Sequence, residues 1–157
     1  MKKIIDPVDK NLIKKELSKD KLMRPTNKAS NELYIFTHHD SPNLMLEVGR
    51  LREIAFRHYG GGTGKEADID RYDTMDTPYR QLIVWDPEEE EILGGYRFLC
   101  GTDVEFDKNG KPILATAHLL NFSQKFIDEY LPYTVELGRS FVSLEYQSIL
   151  SSRKCIF

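Results

Sequence analysis

Between residues 133 and 142 the chain reads Tyr-Thr-Val-Glu-Leu-Gly-Arg-Ser-Phe-Val, which sets a carboxylate, Glu136, and a guanidinium, Arg139, among β-branched and aromatic residues. That composition predicts a strand. A carboxylate can take the proton from an attacking nucleophile. A guanidinium can grip a second carboxylate through two parallel hydrogen bonds. On a regular strand Glu136 shares a face with Gly138, while Arg139 shares the other with Val135 and Leu137. Gly138 marks a place where a bulge or a close backbone approach re-aims its neighbours. Charges on a central strand are costly unless they pair or act. Taken alone, the stretch favours a buried Glu–Arg ion pair slightly over a catalytic pair.

Other residues add to this chemistry. Asp70 and Asp73 lie in the acidic segment Asp-Ile-Asp-Arg-Tyr-Asp at 68–73, which in isolation reads as solvent-facing. The segment lacks the glycine and the distal glutamate of a calcium loop. Arg97 stands among apolar residues in 92–100, and Arg52 and Phe56 lie in 43–59. His38, His39 and Asp40 end a strand, where adjacent residues point apart and chelate poorly. Gly-Gly-Gly-Thr-Gly-Lys at 60–65 follows a helix and has Tyr59 and Glu66 where a phosphate loop needs Gly and Ser or Thr, so a flexible, substrate-covering loop is expected instead.

The elements that must position these groups follow from periodicity. Asp6 and Pro7 predict a short helix over 7–17. Residues 32–37 predict a first strand. Leu44, Val48, Leu51, Ala55 and Phe56 recur at steps of three and four, predicting a helix over 43–59. Residues 79–86 and 92–100 predict an antiparallel hairpin across the acidic turn 87–91. Residues 101–115 form a polar excursion with an Asn109-Gly110 turn. Ser123 predicts the cap of a helix that Pro132 stops. Lys2, Lys3, Lys10, Lys14 and further lysines make residues 1–30 a basic arm, read first as a solvated face and second as a contact for anionic lipid or an acidic carrier protein.

The 157 residues suit one domain, with 40% hydrophobic and 30% charged residues and a net charge of −3. That balance disfavours binding to nucleic acid through counterion release. No apolar run approaches the roughly 20 residues of a membrane span. Cys100 and Cys155 are too few for a disulfide framework or a structural zinc site, so a cytoplasmic protein without bound metal is expected.

In order along the chain, Leu51-Arg52-x-x-Ala55-Phe56-Arg57, Asp70-x-x-Asp73, Gly95-Tyr96-Arg97 and Glu136-Leu137-Gly138-Arg139 resemble the GNAT-related, acyl-carrier-protein-dependent N-acyltransferases. These include the ornithine-lipid and glycine-lipid synthases, often labelled hemolysin-like, with the acyl-homoserine-lactone synthases as cousins. The phrases at 49–57, 81–87 and 136–142 place the chain nearest the lipid-synthase branch. The resemblance covers most of residues 30–157, so residues 31–157 are expected to form the domain and 1–30 its arm. It implies an α/β fold, a GNAT-like mixed, mostly antiparallel sheet flanked by helices. It implies transfer of a fatty acyl group from acyl carrier protein to an amino-acid amine. The alternatives are an N-acetyltransferase on the same fold using acetyl-coenzyme A, and a truncated, non-catalytic module that docks acyl carrier protein or membrane through the basic arm. No tightly bound cofactor is expected beyond the acyl donor, acyl carrier protein or coenzyme A, and the arm allows peripheral contact with the inner membrane face. By the same resemblance Arg52, Phe56, Asp70, Asp73, Arg97, Glu136 and Arg139 line the site. Chemistry then makes Glu136 and Arg139 the catalytic candidates, with Arg52, Phe56, Asp70, Asp73, Arg97 and Gly138 toward substrate and Arg97 or Arg139 suited to grip the acceptor carboxylate. Glu136 is then the candidate base, the bulge near Gly138 the candidate oxyanion site, and the functional reading overtakes the ion pair. The sole tryptophan, Trp85, lies in a strand, which ranks quorum-signal synthesis low. Residues 153–157 read as the start of another element, so the domain is expected to be incomplete at its C-terminus and to lack the acyl-donor half of the family's site.

Overall fold

The computed structural model describes residues 1–27 and 30–147; the expectation for 153–157 lies outside them. Its centre is a five-stranded sheet in the order β1-β2-β3-β4-β5, with β1 Leu22–Pro25, β2 Glu32–Phe36, β3 Arg80–Asp86, β4 Glu91–Cys100 and β5 Val135–Val142. Every neighbouring pair is antiparallel. The helices are α1 Lys10–Glu16, α2 Pro42–His58, α3 Arg71–Thr74 and α4 Leu144–Gln147. This is the expected α/β arrangement.

Alternation along the strands gives the sheet two apolar faces. Tyr34, Phe36, Ile83, Trp85, Ile92 and Phe141 face α2, where Leu44, Met45, Val48 and Ala55 meet them and Ile13 of α1 joins. Leu33, Leu82, Val84 and Leu93 pack with Tyr146 on the other side. A third cluster at one end of the sheet gathers Tyr72, Tyr79, Leu99, Leu114, Ala117 and Leu131, and it carries the polar excursion.

Two expectations for the N-terminal arm change. The first helix starts later, at Lys10, with Asp9 rather than Asp6 capping it through Asn11 N–H at 2.8 Å. Val8 N–H is held by Glu47 Oε2 at 3.0 Å, which keeps residues 7–8 extended against α2. Strand β1 was hidden because it is only four residues long, mostly exposed and ends in Pro25, features of a short edge strand. The lysines of α1 meet the acidic hairpin turn: Lys14 lies 2.8 Å from Glu90 and Lys10 3.6 Å from Glu91. The helix after Ser123 also differs, winding as a π-helix over Phe126–Tyr130 and a tight turn over Leu131–Tyr133. Ser123 Oγ accepts Phe126 N–H as a cap should.

Helix α2 carries Arg52 and Phe56, and its entry is fixed from outside. Ser41 makes no capping hydrogen bond. Instead the Glu16 carboxylate at the end of α1 accepts Asn43 N–H at 3.2 Å and Leu44 N–H at 2.7 Å, supplying the negative charge that a helix N-terminus favours. At the other end Glu53, fully buried, accepts Thr63 N–H, Thr63 Oγ, Gly64 N–H and Arg57 Nε. The glycine loop expected to be flexible is therefore tied to the helix it follows.

Two outcomes follow. Glu16→Ala is expected to lower stability by about 1–2 kcal/mol in urea unfolding, whereas Lys3→Ala, which removes an exposed pair, leaves the midpoint unchanged. Burial works to raise the Glu53 pKa, but its Thr63, Arg57 and Gly64 hydrogen bonds outweigh this and hold it at about 2, against an ordinary 4.5. The folded chain binds that proton more weakly than the unfolded chain does. The stability Glu53 adds is thus complete above about pH 4.5 and is lost as pH falls toward about 2. Glu53→Gln is expected to flatten the unfolding midpoint across that window.

Candidate active site

Four elements converge on one carboxylate. Asp73, 1% exposed, accepts Arg52 Nη1 at 3.3 Å and Gln81 Nε2 at 3.0 Å on Oδ1, and Arg97 Nη1 at 3.1 Å and Asp70 N–H at 3.0 Å on Oδ2. Arg52 comes from α2, Gln81 from β3 and Arg97 from β4, while Gln81 and Arg97 are cross-strand partners. Gln81 Oε1 also takes Arg52 Nη2. In the acidic segment expected to face solvent, Asp68 and Asp73 are buried and Asp70 half-buried, because arginines from three elements surround them.

The segment reaches this position through local chemistry. Asp70 is the N-cap of α3, and with Asp73 it forms a reciprocal capping box that fixes both carboxylates. Gly49 on α2 lets residues 67–69 lie against the helix: a Cβ there would come within 2.6 Å of Ile69 Cγ1. Asp68 N–H then reaches Gly49 O at 2.9 Å.

Strand β5 supplies the remaining groups. Gly95 pairs with Phe141 but Arg97 pairs with Gly138, so Tyr96 stands opposite both Arg139 and Ser140. That extra residue is a β-bulge, at the site the glycine marked. The positive φ of 53° falls on Arg139 and not on Gly138, a conformation costing a non-glycine residue about 1–2 kcal/mol. The bulge overturns the regular alternation. It swings Arg139 to the side of Glu136 and Gly138, leaving Val135 and Leu137 exposed. Arg139 Nε lies 3.3 Å from Asp68 Oδ2 and Nη2 3.4 Å from Asp70 Oδ2, and its guanidinium sits 6.0 Å from the Phe56 ring. Arg97 Nη1 meets Asp70 at 2.8 Å.

Glu136 and Arg139 therefore share a side without pairing with each other. The Glu136 carboxylate receives Tyr79 O–H on Oε2, together with Ala115 N–H at 3.2 Å, and Thr116 N–H on Oε1 at 2.7 Å. The amides open the short 3₁₀ turn Ala115–His118. Arg97 stacks its guanidinium over the rings of Tyr79 and Tyr72, at 5.1 and 5.6 Å, and so joins Glu136's anchor to the Asp73 network.

Burial and charge set the carboxylates apart. Burial raises the Asp68 pKa, only partly offset by Arg139 and Arg52. Burial pushes Asp70 the same way, but the Arg97 hydrogen bond and charge, the Tyr72 amide and Arg139 together hold it below the usual range. The site thus holds an anion beside Arg97 and Arg139.

All eight residues singled out in the sequence come together here: Arg52, Phe56, Asp70, Asp73, Arg97, Glu136, Gly138 and Arg139. Tyr79, Gln81 and Asp68 were missed. Gln81 had a signal, a polar residue opening the apolar run 82–85. Tyr79 had none, since a tyrosine opening a strand is ordinary. A groove of about 350 Å³ between α1, α2 and Tyr146 is lined by none of the site residues. Of the sequence's other candidates, His39 Nε2 meets Met75 O at 2.9 Å, and no cluster able to hold a metal occurs among the described residues. No helix among them is long and apolar enough to cross a membrane.

The bulge thus sets a carboxylate and a guanidinium on one side of an antiparallel sheet flanked by helices, beside a buried acid–arginine cluster. A family model described as an acetyltransferase (GNAT) domain matches residues 51–153, and the chain belongs to that family of enzymes. It is similar over all 157 residues to two proteins named glycine N(alpha)-acyltransferase: 64% identical to that of Phocaeicola vulgatus, covering 48% of it, and 63% identical to that of Bacteroides thetaiotaomicron, covering 47%. The chain spans about half the length of these curated relatives. No solved structure matches it.

Asp73→Ala leaves Arg52 and Arg97 buried without their shared anion. It is expected to cost about 3–5 kcal/mol in chemical denaturation. Arg80→Ala, which breaks the exposed pair with Asp103, is expected to cost less than about 1 kcal/mol.

Proposed function

We propose that the chain acylates the amine of glycine, taking the acyl group from a thioester. The observation that carries this is the shared side of Glu136 and Arg139 created by the bulge. The amine nitrogen attacks the thioester carbonyl carbon and gives a proton to Glu136. The tetrahedral oxyanion is held by backbone N–H groups of the bulge. The C–S bond then breaks, and the departing thiolate takes up the proton, yielding an N-acylglycine and a free thiol. Arg139, whose side chain is 32% exposed, grips the acceptor carboxylate, and Asp70 draws in the ammonium before it loses its proton. Arg52, Arg97 and Asp73 hold these groups in place, and Phe56 backs Arg139.

The relatives' names support glycine as acceptor. The ordered motifs support a fatty acyl group carried by acyl carrier protein, an early step of amino-acid-lipid synthesis in the cytoplasm at the membrane face. The family match favours a second reading, with acetyl-coenzyme A as donor. Competition between hexadecanoyl-acyl carrier protein and acetyl-coenzyme A for formation of acylated glycine separates the two.

Glu136→Gln is expected to lower kcat by about 10²–10⁴-fold, and Arg139→Ala to raise the KM for glycine, with both variants folded. Full activity in both variants would remove them from the site.

A further inference from the structure

Tyr79 is fully buried, and no step of the proposed reaction uses it. Its backbone is held on both sides: its N–H donates to Tyr72 O at 2.8 Å, and its carbonyl accepts Gln81 Nε2 at 3.2 Å. Its ring lies 5.6 Å from Tyr72 at 72° and under the Arg97 guanidinium. The hydroxyl donates its single hydrogen to Glu136 Oε2 and accepts Ala115 N–H at 3.0 Å. Burial, then the hydrogen bond to Glu136, raise the phenol pKa well above its ordinary value, so the hydroxyl stays a donor.

A carboxylate offers about four lone-pair sites, two on each oxygen. Tyr79 O–H takes one on Oε2, the Ala115 N–H, shared between Tyr79 Oη at 3.0 Å and Oε2 at 3.2 Å, occupies the second, and Thr116 N–H takes one on Oε1. One site remains, on Oε1. We propose that Tyr79 is a positioning residue for the acyl transfer: by saturating Oε2 it makes Oε1 of Glu136 the single oxygen that receives the amine proton, and it aims that lone pair. This deepens the acyltransferase reading and rests on it. As the N–C bond forms, the proton passes from the amine to Oε1. As the C–S bond breaks, the proton passes on to the thiolate, and Tyr79 keeps its own throughout. Without the hydroxyl the carboxylate can rotate, and both oxygens compete for the Ala115 amide and the substrate.

The test compares Tyr79→Phe, Glu136→Gln and the double variant with the unaltered 157-residue chain. Glycine is the acceptor, hexadecanoyl-acyl carrier protein and hexadecanoyl-coenzyme A are the donors, and melting temperatures are followed in parallel. Phenylalanine keeps the ring packed on Tyr72 and Arg97. Tyr79→Phe is expected to lower kcat about 10–100-fold and to leave the KM for glycine within about twofold. In the Glu136→Gln background the same change is expected to cost less than about twofold, because residues acting as one unit are not additive. Equal losses in both backgrounds, or a loss wholly in KM or melting temperature, would overturn the positioning role while leaving the acyltransferase reading intact. An unaltered chain that makes no N-acylglycine from either donor would overturn both.

Discussion

The Asp73 carboxylate is the constraint on which the rest of this structure depends. It takes four donors from Arg52, Gln81, Arg97 and the Asp70 amide, and so ties α2, β3, β4 and α3 at one buried point. Two arginines buried without this anion would face a desolvation cost that their remaining contacts do not repay. The same carboxylate closes the capping box that places Asp70, and Asp70 in turn holds Arg97 and Arg139. Fold and site are therefore one network.

The bulge on β5 turns that network into a site. A strand of strict alternation would send Arg139 to the exposed side with Leu137. One extra residue opposite Tyr96 brings Arg139 round to Asp68 and Asp70, at the cost of a left-handed backbone on an arginine. Such strain persists where surrounding contacts over-determine the position, and here two ion pairs and the Phe56 ring do so. Gly138 is not the strained residue. A Cβ there would lie 3.7 Å from Arg97 Nε, an ordinary contact.

Much of this was legible in the sequence, for identifiable reasons. Strands β2 to β5 and helix α2 could be read from composition and apolar spacing, and the β3–β4 pairing from the acidic turn between them, whereas the partners of β2 and β5 could not. The motif residues could be listed, and the glycine marked the bulge. What the sequence hid depends on contacts between distant segments. The burial of Asp68 and Asp73 and the pairing of Asp70 depend on arginines 16 to 71 residues away, whereas a local window shows only an acidic loop. The role of Glu16 as a cap for α2 depends on a helix contact that no helix-start signal encodes. Strand β1 is four residues ending in a proline, too short to show a period, and Tyr79 acquires its meaning only when β5 brings Glu136 beside it.

The most direct test of the central claim is to incubate the purified 157-residue chain with hexadecanoyl-acyl carrier protein and a mixed amino-acid pool, and to identify acylated products by mass spectrometry. The proposed reaction predicts N-hexadecanoylglycine as the principal product. A folded chain that yields no acylated amine, with this donor or with acetyl- or hexadecanoyl-coenzyme A, would contradict the account.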